Sequence, residues 1–355
     1  METPHKNNNI DHVDFTNPTL FLHQFDESTD SYYFIETSER KIREAAFLDG
    51  REPFYQHKSS LQISGQYLHN QQVTDHLWAA RSRFIFHVGF CGSTLLARLL
   101  ESNQQQIICY KEPHILAELA NLKAHQSLVF KDVYKQERVF KTVLGQANKS
   151  FRVQQQAIVK PSNWVNTILP ELASQAGSLS AVFIDMSLED FLIAILRGGR
   201  ERIAFVYRLN EHLLSCLPHF KEVSMLINES HQSIMLQVTK TIALTLHMQK
   251  MLFDSAKSML GVSNVLTISY KGIVDNTFDT LSEVTRHFDL AFDEPALSNA
   301  INSVHNRHAK AKGISFDTST QDALNNRLYH TYRSEITEAI AWYEQVFADE
   351  YRQLA

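Results

Sequence analysis

From residue 83 onward, apolar runs of five to seven residues recur between amphipathic stretches: FIFHVG (84–89), QIICY (106–110), QAIVK (156–160), SAVFIDM (180–186) and NVLTISY (264–270). Each is too short for a helix, rich in Ile and Val, and without strict alternation, which is the pattern of strands buried on both faces. Between them, residues 93–102, 114–123, 127–147, 163–174, 187–198 and a long apolar stretch near 231–258 carry helical patterns. Alternating strands and helices imply parallel strands joined by right-handed crossovers. The expected fold is therefore α/β, a three-layer doubly wound parallel sheet of about five strands with helices on both faces. After residue 290 the pattern becomes helical, with a charged loop NRHAKAKG (306–313) and a final helix, so extra C-terminal helices are expected. Before residue 79 the signals are mixed: SYYFIET reads as a strand, KIREAAFLDGRE as a short helix ending at Gly50, and QVTDHLWAARS as a lead-in. The chain divides into an N-terminal segment, 1–78, without an assigned role, and an α/β domain, 79–355.

The first predicted strand runs into a turn and then a helix, RFIFHVGFCGSTLLARLL (83–100). Gly89 and Gly92 let the backbone curl so that successive N–H groups face one point, and the positive end of the following helix faces it too. Gly89, Phe90, Cys91, Gly92, Ser93 and Thr94 thus form a candidate cradle for a phosphate or sulfate. Leu95, Leu96, Leu99 and Leu100 share one helix face, and Arg98 and Glu101 lie away from it. There is no Gly-Lys-Ser/Thr at the offset of a Walker A loop, which disfavours an ordinary NTPase. Ser93 and Thr94 either donate hydroxyls to the anion or cap the helix, and one site serves both. A helix N-terminus also lowers a thiol pKa, but the only histidine in the motif, His87, lies inside the strand, which leaves Cys91 a weak candidate nucleophile.

Composition narrows the picture. A 355-residue chain with 44% hydrophobic residues is long enough to bury one large core. A net charge of −5 argues against an extended nucleic-acid surface but allows a local basic pocket. Three cysteines without a CxxC pair fit a reducing compartment, and 17 histidines form no HExxH or similar set, so no metal is expected. The polar N-terminus and the lack of a run long enough to span a bilayer lead to the expectation of a cytoplasmic protein without a membrane partner.

In a doubly wound sheet, ligands bind beyond the carboxyl ends of the strands. Lys111-Glu112-Pro113 ends the second predicted strand, and proline holds Glu112 extended. Glu112 is either a general base with a charged neighbour or half of a surface ion pair. Lys160 ends the third strand, where it could neutralise a transferring anion; Ser162 and Asn163 read as caps. Two basic clusters could hold a second phosphate: Arg197 with Arg200 around Gly198-Gly199, and Arg307, Lys310 and Lys312. Both are equally read as solvated faces.

Taken together, these segments resemble the P-loop-like sulfotransferase family, as a divergent bacterial member, over residues 83 to about 313. FHVGFCGSTLLARLL is similar to the family's loop for the 5′-phosphosulfate. Lys111-Glu112 is similar to the Lys-Glu of carbohydrate and tyrosyl-protein sulfotransferases, where the glutamate is the base, and IVKPSN is similar to a later lysine-bearing strand end. NVLTISYKGIVDNTFDTLSEVTRHFDL resembles the family's strand, Tyr-Glu-x-Leu and helix, with Lys271 where glutamate is common. Two features depart from the pattern. The loop lacks its usual basic residue, and the Arg-x-x-x-Asp-x-x-x-Ser motif for the 3′-phosphate, set on Asp190, falls on Met186 and Ala194. The resemblance implies transfer of a sulfuryl group from 3′-phosphoadenosine 5′-phosphosulfate to a small-molecule or carbohydrate acceptor, with Glu112, Lys111 and Lys160 catalytic and no metal. A nucleotide-dependent phosphotransferase and a non-catalytic anion-binding protein remain as alternatives.

Overall fold

The computed structural model describes residues 13–51, 53–70, 81–175, 179–229, 232–304 and 318–354. Five strands, β4 (Ser82–His87), β5 (Ile107–Lys111), β6 (Gln156–Lys160), β7 (Leu179–Asp185) and β8 (Val265–Ser269), form one sheet in the order β5-β6-β4-β7-β8. Every pairing in it is parallel. The strands that the apolar runs predict are present, 156–160 with the same bounds and the others with ends displaced by one or two residues. Their side chains are buried on both sides in β4, β5 and β7, as helices covering both faces require. Helix Ser93–Glu101 packs with Thr277–His287 and Glu294–Val304, and the long helix Ile234–Leu260 packs with Leu169–Gln175, Gly199–Cys216 and Arg333–Leu354. The strand order reverses at β4, so the crevice beyond its carboxyl end is the switch point where this architecture binds ligands. In the register of β5 on β6, Lys111 lies opposite Lys160.

Several expected helices are divided. The 127–147 stretch becomes a short 3-10 turn, Leu128–Phe130, and a helix, Val133–Ala147, because Asp132 accepts hydrogen bonds from the N–H groups of Tyr134 and Lys135 and starts a new helix. The 163–174 stretch opens as a 3-10 helix, Asn163–Ile168. The helix expected to reach Gly50 stops at Glu44: Ala45 is extended and the chain then runs irregularly. The lead-in up to residue 80 and the 306–313 loop lie outside the described residues.

The N-terminal segment forms an antiparallel sheet, β1 (Leu20–Asp26), β2 (Ser31–Thr37) and β3 (Tyr55–Ser64), in that order. SYYFIET is its central strand, and the hydrophobic pattern does not mark the two strands beside it. This sheet shares one contiguous core with the parallel sheet; the rings of Phe21 and Tyr110 meet at 5.6 Å. Buried Lys149 fastens the two sheets, donating to the carbonyls of Asn17 (3.2 Å) and Leu20 (2.6 Å). Among the described residues, no helix is long and apolar enough to cross a membrane.

Candidate functional site

The turn after β4 is built from left-handed backbone. Gly89, Phe90 and Gly92 have φ of +93°, +56° and +80°, and Gly92 caps helix Ser93–Glu101 without a side-chain bond. The first N–H groups of this helix are therefore not satisfied by a cap, as an anion cradle needs. The carbonyl side of the turn is held from behind. Asn163 Nδ2 donates to Val88 O (3.0 Å) and Asn166 Nδ2 to His87 O (3.1 Å), and both amides also donate to Gln249 Oε1. His87 Nδ1 accepts from the Gly89 N–H (3.0 Å), so Nε2 carries the proton and donates to Pro161 O at 2.9 Å. Asn163 is thus a pin of the loop; no side-chain cap bond starts the turn at Ser162. Cys91 is fully buried, and burial pushes its thiol up to about 11, so it is protonated near neutrality and unsuited to nucleophilic attack. Ser93 and Thr94 are buried at the helix start.

Beyond β5 and β6 stands a three-residue ion cluster. Glu112 Oε1 accepts from Lys160 Nζ at 2.5 Å and Oε2 from Arg51 Nη2 at 2.7 Å, while the Glu112 N–H donates to Lys160 O at 2.7 Å. The Lys160 side chain is 1% exposed and that of Glu112 13%. Lys160 also lies close enough to the loop for its charge to act on the Cys91 thiol. Glu112 itself has φ +55°. A bulky residue in that region is strained by ~1–3 kcal/mol, and such strain is concentrated at functional sites.

Lys111 is placed elsewhere. Successive residues at a strand end point to opposite sides. Its ammonium donates to Glu101 Oε2 (2.9 Å) and Arg43 O (3.1 Å), buried behind the sheet. Glu101 is buried there as well and accepts from the Cys109 N–H, in contrast to the outward position its helical period implies. Lys111 is thereby a structural cation that ties β5 to helix Ser93–Glu101, and the expectation that it stabilises a transferring group is corrected.

Next to the loop lies a cavity of about 630 Å³. Phe90, Met186, Ala194, Arg197, Tyr270 and Asn325 line it, together with the carboxylates of Glu189, Asp190 and Asp322. Both motif departures, Met186 and Ala194, face this space. Arg197 donates to Asn325 Oδ1 at 2.9 Å, and burial is the largest influence lowering its pKa. Arg200 is exposed in the next turn. Lys310 and Lys312 lie outside the described residues. Lys271 sits 3.6 Å from Asp190. Among the described residues, no group of three or more His, Cys, Asp or Glu is arranged to hold a metal ion.

Sequence reasoning missed Arg51, Asn166 and Gln249. A buried glutamine in the long apolar helix was a legible signal, since an amide there needs partners. Arg51 had none, because no motif surrounds it.

No protein-family model matches this chain, and no curated protein matches it. Among solved structures it is similar to a sulfotransferase domain from the curacin biosynthetic pathway, with 13% identity and a TM-score of 0.37 over 74% of this chain and 98% of that one. It is also similar to a sulfotransferase from Alicyclobacillus acidocaldarius, with 12% identity and a TM-score of 0.36 over 75% and 97% of the two chains. A third is mouse sulfotransferase SULT7A1 complexed with PAP, with 15% identity and a TM-score of 0.34 over 74% and 78%. Likeness at TM-scores this low carries no argument about what this chain does.

Proposed function

We propose that this protein is a sulfotransferase, moving a sulfuryl group from 3′-phosphoadenosine 5′-phosphosulfate to a hydroxyl or amine. The observation that carries the reading is that the turn at 90–93 and the Lys160–Glu112 pair both stand at the carboxyl edge of one parallel sheet. In the proposed step the acceptor oxygen or nitrogen bonds to sulfur as the bond from sulfur to the leaving phosphate oxygen breaks. The electron pair goes to that phosphate, and Glu112 takes the acceptor's proton. Lys160 and the 89–94 backbone stabilise charge on the transferring group and on the leaving phosphate, the work that magnesium does in kinases. Arg197 is the residue we assign to the donor's 3′-phosphate, in place of the motif's missing arginine at Met186.

A second reading, an anion-binding protein without transfer activity, is favoured by one observation: carboxylates outnumber the cation in the cavity where that phosphate would lie. Thermal unfolding with 3′-phosphoadenosine 5′-phosphate, inorganic sulfate and ATP with magnesium separates the readings, because a ligand held only by the native state raises its melting point. The transfer reading expects a rise with the first that exceeds any rise with ATP. A response to sulfate alone supports the second reading, and equal rises with both nucleotides point to phosphoryl transfer.

A further inference from the structure

Glu112 has a cation on each carboxylate oxygen, Lys160 on Oε1 and Arg51 on Oε2. A carboxylate in that position is a poor proton acceptor, because each neighbour favours its charged form. To act as a base it must lose one of them, and the two are unequal. Lys160 is 1% exposed at the end of β6, where withdrawing its partner strands a buried ammonium. The Arg51 side chain is 57% exposed, on the irregular stretch between helix Glu39–Glu44 and β3. Among the described residues it also touches the Asp49 carboxylate at 2.5 Å and the face of the Phe47 ring at 4.0 Å. The backbone beneath is fixed: the Leu48 N–H donates to Lys111 O and Leu48 O accepts from the His114 N–H. The side chain can therefore turn away while the segment stays.

We propose that Arg51 is a removable counter-ion of Glu112, drawn off by an oxyanion carried on the acceptor. This rests on the reading of Glu112 as the base. The guanidinium fork matches a carboxylate, phosphate or sulfate with two parallel hydrogen bonds. An acceptor with such a group replaces the contact that Arg51 gives up, and a neutral acceptor must break it uncompensated. The acceptor is accordingly an acidic molecule, and the N-terminal segment, which the family resemblance does not cover, sets that preference. Among the described residues, the charged groups seen against Glu112 are Lys160 from β6 and Arg51, with Asp49 behind it, from the stretch before β3. Lys111, on the neighbouring residue, is turned to Glu101.

The test follows the Glu112 carboxyl carbon by NMR in the full-length protein labelled with [δ-13C]glutamate, its signal assigned by its loss in Glu112→Gln. Arg51→Met should raise the titration midpoint of Glu112 by about one pH unit or more, and Arg51→Lys should bring most of it back. With wild-type protein, 4-hydroxyphenylacetate should move the midpoint upward and the neutral 4-hydroxyphenylacetamide should not; neither should move it in Arg51→Met. An unchanged midpoint in Arg51→Met, no response to the acid, or an equal response to acid and amide overturns the proposal. Since the titration uses no donor, a protein that fails to bind 3′-phosphoadenosine 5′-phosphate would sink the transfer reading and leave this result standing.

Discussion

Two of the described residues that hold a left-handed backbone without being glycine, Phe90 and Glu112, follow the carboxyl ends of β4 and β5. Strain of ~1–3 kcal/mol at each is compensated by side-chain contacts. For Phe90 these are the Phe205 ring at 5.9 Å and the Arg202 guanidinium at 4.6 Å. For Glu112 they are the two ion pairs. Glu112→Gln should therefore act twice. Turnover should fall by ~10²–10⁴-fold, the usual worth of a positioned base, while affinity for 3′-phosphoadenosine 5′-phosphate stays near wild type. The melting point should also drop, because buried Lys160 loses its counter-charge. Sulfuryl transfer to an acidic acceptor measures the first effect at a temperature where the variant is folded. A variant that transfers to that acceptor at the wild-type rate would make the carboxylate purely structural. Glu112 was legible as a candidate because it directly follows an apolar strand, at the carboxyl edge of the sheet. Its backbone was misjudged: Pro113 led to the expectation of an extended Glu112, and the residue instead holds a left-handed φ of +55°.

At the scale of elements, the loop and helix 89–101 were readable from glycines and leucine spacing. Gly92 has φ +80°, and a Cβ there would meet Tyr270 Cδ2 at an ordinary 3.5 Å. The obstacle to substitution is therefore conformational, not crowding. Gly92→Val should cost ~1–2 kcal/mol through the left-handed backbone and abolish measurable nucleotide binding by calorimetry, while circular dichroism keeps the wild-type form. Retained affinity would mean that the cradle is not the site. Glu101 shows the limit of reading an element alone. Helical period places it away from the leucines, yet β5 returns beside that last turn and brings Lys111 against it. Only the crossover geometry determines which polar groups meet there.

For the whole molecule, Lys149 reports how the N-terminal sheet is held. Burial pushes its ammonium down to about 7, against an ordinary value of 10.5. A neutral amine still has two N–H groups for the carbonyls of Asn17 and Leu20. Between about pH 7 and 10.5 the unfolded chain binds a proton that the folded one lacks, so this residue's contribution to stability rises with pH through that window. The slope approaches ~1.4 kcal/mol per pH unit. Urea unfolding of wild type and Lys149→Met from pH 7 to 10 should show the wild type gaining on the variant as pH rises. Parallel curves would mean that the lysine is charged in the folded protein.

The apolar runs and the helical periods between them determined the parallel sheet, its five strands and the crevice at their carboxyl ends, because burial on both faces leaves strands no other pattern. They also placed the glycine turn, Glu112 and Lys160 at the ends of strands. Tertiary structure decided everything that depends on contacts between distant segments. Lys111 and Glu112 are adjacent in sequence, yet one is buried behind the sheet and the other faces the crevice. Asn163, Asn166 and Gln249 close on the loop from two helical segments. Arg51, from a segment with no motif, reaches Glu112 across 61 residues. Hydrophobic period is a local property and survives in the sequence; the pairing of charges is set by packing, and no spacing along the chain records it.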